Sequence, residues 1–597
     1  VQDAEDMIGK IVDYDVNPDL GTWRNRVVIA ADDNITPSRS YETFHTRQAE
    51  TLSNLHVPSS FEVGKIYLIE YPMQNGEKPE AREALIGAFN RGSLIIDWIG
   101  HGSPGLWADE HIFRRSQDIP RLTNGKRLPL IFTASCSIGF FDDPSIESFG
   151  EELIRHRSRG AVAVISATRV VFAAPNTAFN NMVFDQLLYA DSVGIGEAMY
   201  MAKYLRSGPN GTQSNDRYYV LFGDAAQILQ FPKFDVRFIS APDSLVALSE
   251  DGISGEIIDN QGNLMSDFDG TAWVTVKDGT IMKSVIMRDR YNNPLSPPNN
   301  TMSFLAPGAT IFIGPVDVEN GVFSTRFFVP KDVSYGSQGA KIYADAENGV
   351  YDAVGVVDSI LVSGSVPSVL DSTGPEIRLL ADGRPFSSGV TLVRSGFNLM
   401  AEIEDEHGIN ITGQLGHGIV VRVDDGEVYE ADATGNFRFD RGGYQAGTME
   451  LSLPALPLGE HDISLKAWDN FNNSTLILKR IEVVSTDDLR ITEVMNYPNP
   501  VREGNLNTSF QYCLNNDVER VIIKIFTESG RKIKTMDVSW PDEGAQMGCH
   551  QIAWNLRDAD GDPLSNGIYL YRVSADGRNA DGKKNSVSEA VKLVIIR

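Results

Sequence analysis

Leu94-Ile95-Ile96-Asp97-Trp98-Ile99-Gly100-His101-Gly102-Ser103 is an apolar run that stops on a histidine between two glycines. A second run, Leu130-Ile131-Phe132-Thr133-Ala134-Ser135-Cys136-Ser137, stops on a cysteine. Each is short and nearly continuous, the pattern of a strand buried on both faces of a parallel sheet. The pattern recurs at Val27–Ala31, Lys65–Glu70 and Ala161–Ser166. Helix-period stretches lie between these runs, near 43–55, 79–90, 145–158 and 177–206, the last broken around Asp191. For the 145–158 helix, Asp143 is the expected N-cap, Pro144 the first helical residue and Gly160 the stop. Arg155, Arg157 and Arg159 crowd the negative end of its dipole. Such alternation predicts an α/β domain whose mostly parallel sheet carries helices on both faces.

Outward from these runs the chain extends to 597 residues, and at roughly 150 residues per domain that suggests about four domains. Its 53 Lys and Arg stand against 80 Asp and Glu, leaving a net charge of −27. That balance argues against a nucleic-acid partner, which would need a basic stripe. Hydrophobic residues at 42% and charged residues at 22% are values of folded protein, not of disorder. No apolar run approaches the 18 residues of a membrane-crossing helix. A start at Val1, without initiator Met or signal-peptide regions, is the expectation for a processed chain or a fragment.

After Phe231-Pro232 the pattern changes to short β-branched runs divided by turns such as Asp251-Gly252, Asp259-Asn260-Gln261-Gly262, Asp382-Gly383 and Asp425-Gly426. Strands at that spacing predict immunoglobulin-like β-sandwiches. Seams at Ser363-Gly364-Ser365-Val366-Pro367-Ser368 and Ser485-Thr486-Asp487-Asp488 divide the region. The expected domains are 1–232, then three all-β modules at 233–366, 367–486 and 487–597. Asp267-Phe268-Asp269-Gly270 lacks the ligand ladder of a calcium loop and reads as a turn. His407 and His417 flank glycines in loops, so no metal and no cofactor is expected. The two central modules read as spacers or docking surfaces.

Cysteine usage separates two roles. Cys513 and Cys549 lie close together, on two strand-like runs of the last module, whereas Cys136 stands alone. A bridge between the first two would close a loop of about 37 residues and contribute roughly 3–4 kcal/mol; two reduced core thiols is the alternative. Cys136 reads either as a small buried hydrophobe or as a nucleophile. In an open parallel sheet, residues just past the carboxyl ends of strands share one rim, where ligands bind. An imidazole beside a thiol there raises the thiolate fraction and later protonates a leaving amine. Gly100 and Gly102 are expected to turn the backbone sharply around His101. The Gly102 and Cys136 N–H groups are then the candidate oxyanion hole. The strand Val27–Ala31 ends in Asp32-Asp33 on the same edge, and either carboxylate is a candidate to orient the imidazole.

Several stretches recur together: Ile99-Gly100-His101-Gly102-Ser103 with Trp107, Leu128–Cys136, Phe149-Gly150-Glu151-Glu152-Leu153-Ile154, Gly160–Thr168 and Phe222-Gly223-Asp224. In that order they resemble the catalytic domain of the gingipain-like cysteine peptidases, a caspase-type α/β fold, over residues 26–230. The resemblance implies Cys136 as nucleophile and His101 as acid and base. Asp33 falls where the family has a His-orienting Glu, and Phe172 where it places an aromatic lid over the substrate pocket. Glu42 lies roughly where an Arg-specific member keeps its pocket acid, at a different spacing, so Arg specificity is not inferred. The family usually carries another α/β half before this one, which again fits a truncated or cleaved N-terminus.

The last module reads Met495-Asn496-Tyr497-Pro498-Asn499-Pro500, then Val521–Arg531, His550–Asp558 and Asn566–Val573. It resembles the C-terminal sorting domain of type IX secretion. A gingipain-like domain, β-sandwiches and this module in one chain resemble the sortases of that system. The resemblance implies an enzyme at the bacterial outer surface, associated with the outer membrane. Its expected partners are secreted cargo with C-terminal sorting domains, an amine on anionic lipopolysaccharide as acceptor, and an outer-membrane protein of the secretion system. The alternatives are a secreted endopeptidase that only hydrolyses, and a surface scaffold on an inactive peptidase fold.

Overall fold

The computed structural model describes residues 2–33, 43–190, 193–208, 213–289, 291–295, 301–335, 339–366, 371–387, 389–485, 489–578 and 584–596. Glu42, Asp191, Pro367-Ser368 of the first seam and 486–488 of the second lie outside the described residues. The chain forms two compact units, Val1–Asp371 with Phe439–Gln445, and Ser372–Arg438 with Ala446–Arg597.

In the first unit the main elements are α1 (Gln2–Val16), β1 (Arg26–Ala31), α2 (Phe44–Leu55), β2 (Glu62–Tyr67), α3 (Pro79–Arg91), β3 (Ile95–Ile99) and β4 (Leu130–Ala134). They continue with α4 (Phe149–Arg155), β5 (Ala163–Ala167), α5 (Ala173–Leu188), α6 (Ile195–Leu205) and β6 (Tyr219–Phe222). The sheet order is β2-β1-β3-β4-β5-β6, parallel throughout except for β6, which runs antiparallel to β5. Alternate residues of each strand feed two cores. Val27, Ile29, Leu130, Phe132 and Ile165 face α2, α5 and α6. Val28, Ile96, Trp98, Ile131 and Val164 face α3 and α4. Burial on both faces is why the strands lack polar alternation.

The helix expected at 145–158 is shorter. Asp143 does not cap it: its carboxylate accepts the Ser145 N–H and O–H at 2.9 and 2.6 Å in a local turn. The N-cap is Ser148, in a reciprocal capping box with Glu151. Gly160 is not its stop either: the helix ends at Arg155 with His156 as C-cap, and Gly160 packs back against it from five residues beyond. The Gly160 φ is 90°, and a Cβ there would lie 2.1 Å from the Leu153 carbonyl oxygen. The helical carbonyl end is met by the buried Lys10 ammonium of α1, which donates to the carbonyls of Leu153, Arg159 and Ala161 at 3.0–3.1 Å. The helical stretch at 177–206 is two helices, α5 and α6.

Beyond residue 233 the chain is β. Residues 234–365 hydrogen-bond as one eight-stranded sheet plus the hairpin β7 (Ile281–Ile286) and β8 (Thr301–Ala306). That hairpin is no detached spacer. Met287, Met302 and Phe304 join the core that holds Ile29 and Leu52. The Phe304 ring meets Tyr67 edge-on at 5.1 Å, and Lys65 donates to the Leu305 carbonyl at 2.7 Å. Burying such side chains contributes roughly 1.5–3 kcal/mol each. Residues 376–484 form two five-stranded sheets, and 491–596 a three- and a five-stranded sheet. Cys513 and Cys549 stand opposite each other on adjacent strands and are joined by a disulfide.

Candidate active site

The register of the parallel strands decides the site. Ala31 pairs with Ile99, and Ile99 with Ala134. His101 and Cys136 each follow two residues beyond those partners, so they leave the sheet side by side on neighbouring strands. Neighbouring strands lie about 4.8 Å apart, which brings together positions 35 apart in sequence. Cys136 is half-buried and packs against the α2/α5 core, while His101 is exposed at the rim.

The thiol is held by one loop. The Val171 N–H donates to the Cys136 sulfur at 3.5 Å, and the sulfur lies 3.3 Å from the Val171 carbonyl. Ser137, next in sequence, has a φ of 50°. A left-handed non-glycine backbone costs on the order of 1–3 kcal/mol; here it turns the chain off the sheet directly after the thiol. Phe172 follows, 71% exposed, and its N–H donates to Asn215 at 2.8 Å.

The two glycines around His101 are needed for space, not for a sharp turn, since neither has a positive φ. A Cβ on Gly100 would sit 2.5 Å from Asp32 Cβ and 2.7 Å from Trp98. One on Gly102 would sit 2.6 Å from both Ile138 and the Ser135 hydroxyl. The hairpin that follows sets the direction of the Gly102 amide. Ala108 donates to the His101 carbonyl at 3.1 Å, and Gly102 pairs with Trp107. Hydrogen-bonded pairs alternate along an antiparallel ladder, so the Gly102 N–H points away from its partner.

The acidic residues divide differently from the expectation. Asp33, the expected orienter, gives its carboxylate to the Lys78 ammonium in a buried pair, and Lys78 also donates to the Leu68 carbonyl at 2.6 Å. It is Asp32 that reaches the histidine segment: its Oδ2 accepts the His101 main-chain N–H at 2.9 Å. Consecutive residues of an extended chain point in opposite directions, so only one of the two acids meets that segment. Glu110, which sequence reading missed, completes a buried cluster in which oxygens of Asp32, Asp33 and Glu110 all lie within 4.8 Å. Burial, with Asp32 and Asp33 alongside, pushes the Glu110 carboxyl up to about 9. Burial also raises Asp33, against the pull of Lys78. A second buried residue absent from the sequence reading, His45 of α2, places its ring 5.4 Å from that of His101.

Comparison with known proteins agrees with this architecture. Residues 1–229 match peptidase family C25, and residues 499–579 match the FlgD Ig-like domain. Gingipain R2 of Porphyromonas gingivalis is 35% identical over 88 residues, 14% of this chain and 12% of that protein. Gingipain R1 of the same species is 35% identical over 88 residues, 9% of its length. The crystal structure of dimeric latent PorU from P. gingivalis shares 26% identity, covering 74% of this chain and 41% of that one, with a TM-score of 0.29. The complex of P. gingivalis RgpB pro- and mature domains shares 17% identity over 61% of this chain and 74% of that one, with a TM-score of 0.32. The matched stretch thus spans about an eighth of gingipain R2. Residues 1–229 are a peptidase family C25 domain, of the gingipain family, followed by a β-rich region that includes a FlgD-type Ig-like domain.

Proposed function

We propose that this chain is a surface cysteine peptidase and transpeptidase of the sortase type, acting on cargo of type IX secretion. The observation that carries the reading is the shared register that puts His101 and Cys136 side by side at the carboxyl rim of the sheet. Cys136 Sγ attacks the carbonyl before a cargo's C-terminal sorting domain as its proton passes to the His101 imidazole. The developing oxyanion is stabilised by the outward Gly102 N–H and the Cys136 N–H. His101 returns the proton to the departing amine, leaving a thioester. An amine on anionic lipopolysaccharide resolves it, and positioning must favour that amine over water at about 55 M. Asp32 holds the His101 backbone, and Phe172 lines the substrate side. The working division is 1–232 for catalysis, 233–366 and 367–486 as central modules, and 487–597 as a sorting-like module that docks to an outer-membrane partner.

The test is Cys136→Ala. Loss of sorting-domain removal with an unchanged circular dichroism spectrum is expected, and normal processing refutes the assignment. Mass spectrometry of cargo C-termini then separates the chemistries. An added amine-bearing group supports transfer, and free carboxyls throughout reduce the enzyme to a hydrolase. A Cys136 that resists a thiol-reactive acyl probe points instead to the inactive scaffold.

A further inference from the structure

We propose that His45 is a positioning residue that holds the His101 imidazole toward Cys136, an inference that rests on the dyad reading above. His45 lies on α2, from a different part of the chain, and is 5% exposed. Its ring stands nearly perpendicular to that of His101, at 86° and 5.4 Å between centroids. A perpendicular aromatic neighbour at that distance restricts rotation of the facing ring.

The hydrogen bonds behind His45 set its own orientation. Gln48 Nε2 donates to the Ala173 carbonyl at 3.1 Å. A carbonyl only accepts, so the amide nitrogen of Gln48 faces Ala173 and its Oε1 faces His45. Oε1 lies 3.3 Å from His45 Nδ1, so Nδ1 carries a proton and donates. The ring is thereby locked about its own axis. Phe44 also meets the His45 ring edge-on, at 6.0 Å.

The far end of this relay makes the arrangement more than local packing. Ala173 opens α5, two residues after Val171, whose backbone holds the Cys136 sulfur. One short segment, Val171 to Ala173, therefore grips the thiol directly and the imidazole through Gln48 and His45. The two reactive groups come from different strands, and this connection ties them together off the sheet. A buried histidine with no part in proton transfer acquires a reason to be there.

Cys136 is the free thiol of the chain, since Cys513 and Cys549 are bonded to each other. Its alkylation by iodoacetamide in the full chain therefore reports the dyad without any cargo. A thiolate paired with imidazolium reacts at pH 6, where an ordinary thiol with a pKa of about 8.5 scarcely does. The expected results are loss of the pH 6 rate in His101→Ala and about a tenfold loss in His45→Ala. His45→Phe keeps a ring against His101 and should recover most of the rate. Gln48→Leu, which keeps the bulk but removes the acceptor, should lie between wild type and His45→Ala. Full pH 6 reactivity in His45→Ala, with His101→Ala inactive, overturns the positioning role and leaves the dyad standing. An unchanged rate in His101→Ala overturns both. A loss in His45→Ala that tracks a fall in melting temperature, and that His45→Phe does not recover, makes the role structural and also overturns the proposal.

Discussion

The rim of the parallel sheet and the interior of the C-terminal β region bury opposite kinds of chemistry. At the rim, Asp32, Asp33, Lys78 and Glu110 are all at most 3% exposed, and Asp97 lies fully buried within β3. Among the described residues of 489–577 and 590–596, no acid, lysine or arginine is buried. The core there is Phe510, Tyr512, Val521, Ile523, Ile525, Trp554, Val573 and their neighbours, with the Tyr512 hydroxyl donating to the Gly544 carbonyl at 2.7 Å. Buried charge is expensive unless paired, and hydrophobic burial alone stabilises a sandwich. The expense is therefore concentrated where the chain places its candidate catalytic residues, as expected for a site whose groups must be held against their solvation preferences.

The strongest challenge to that contrast is Lys78→Met. It leaves Asp33 and its acidic neighbours without their ammonium partner, and removing one member of a buried pair costs about 3–5 kcal/mol. Urea unfolding monitored by hydrogen exchange in β1 and β3 should show that loss, with the strands of 491–596 unaffected. A loss below about 1 kcal/mol would mean that the cluster is wetter than its burial implies.

The reciprocal experiment is Cys513→Ser with Cys549→Ser. Their separation of 36 residues corresponds to about 3 kcal/mol in the chain-entropy account. The cost should appear in the exchange of strands 508–514 and 548–554, and Cys136 alkylation should not change. Altered alkylation would show that the two regions are not energetically independent.

The smallest effect expected is a slope. Burial raises the Asp97 carboxyl to about 8, although Asn180 donates to both its oxygens at 3.0–3.1 Å. Between roughly pH 4 and 8 the folded chain holds a proton that the unfolded chain has released, so this group's contribution falls as pH rises through that window. The slope is at most about 1.4 kcal/mol per pH unit. Asp97→Asn should flatten the stability curve of the α/β unit between pH 5 and 7.5, read by the same exchange measurement. An unchanged slope would assign the pH dependence to Glu110 and Asp33 instead.

Much of the α/β domain was legible because both-face burial writes itself as uninterrupted apolar runs. The runs ending at Ala31, Ile99 and Ala134 are strands, and their ends carry Asp32, His101 and Cys136. Elements with weaker patterns escaped. Helix α1 is largely exposed, with Lys10 and Tyr14 its buried residues, so its apolar stripe is too narrow to register. The edge strand β6 is only partly buried along most of its length. The helix starts at Phe149 rather than 145 because Asp143-Pro144 is also good turn chemistry, and the competing Ser148–Glu151 box sets its start.

Composition and periodicity by themselves determined the change from α/β to all-β near residue 232 and the candidate pair, His101 and Cys136, that follows two of the apolar runs. Local propensity and one-dimensional spacing suffice for both, because each is a property of a continuous segment. Which strands adjoin, and hence that the positions of His101 and Cys136 are neighbours at the rim, is a matter of register between segments 35 positions apart. The same holds for the choice of Asp32 over Asp33 to hold the histidine segment, for Lys78 as the partner of Asp33, and for His45 beside His101. These are contacts between side chains from separate elements, and only packing in three dimensions selects them.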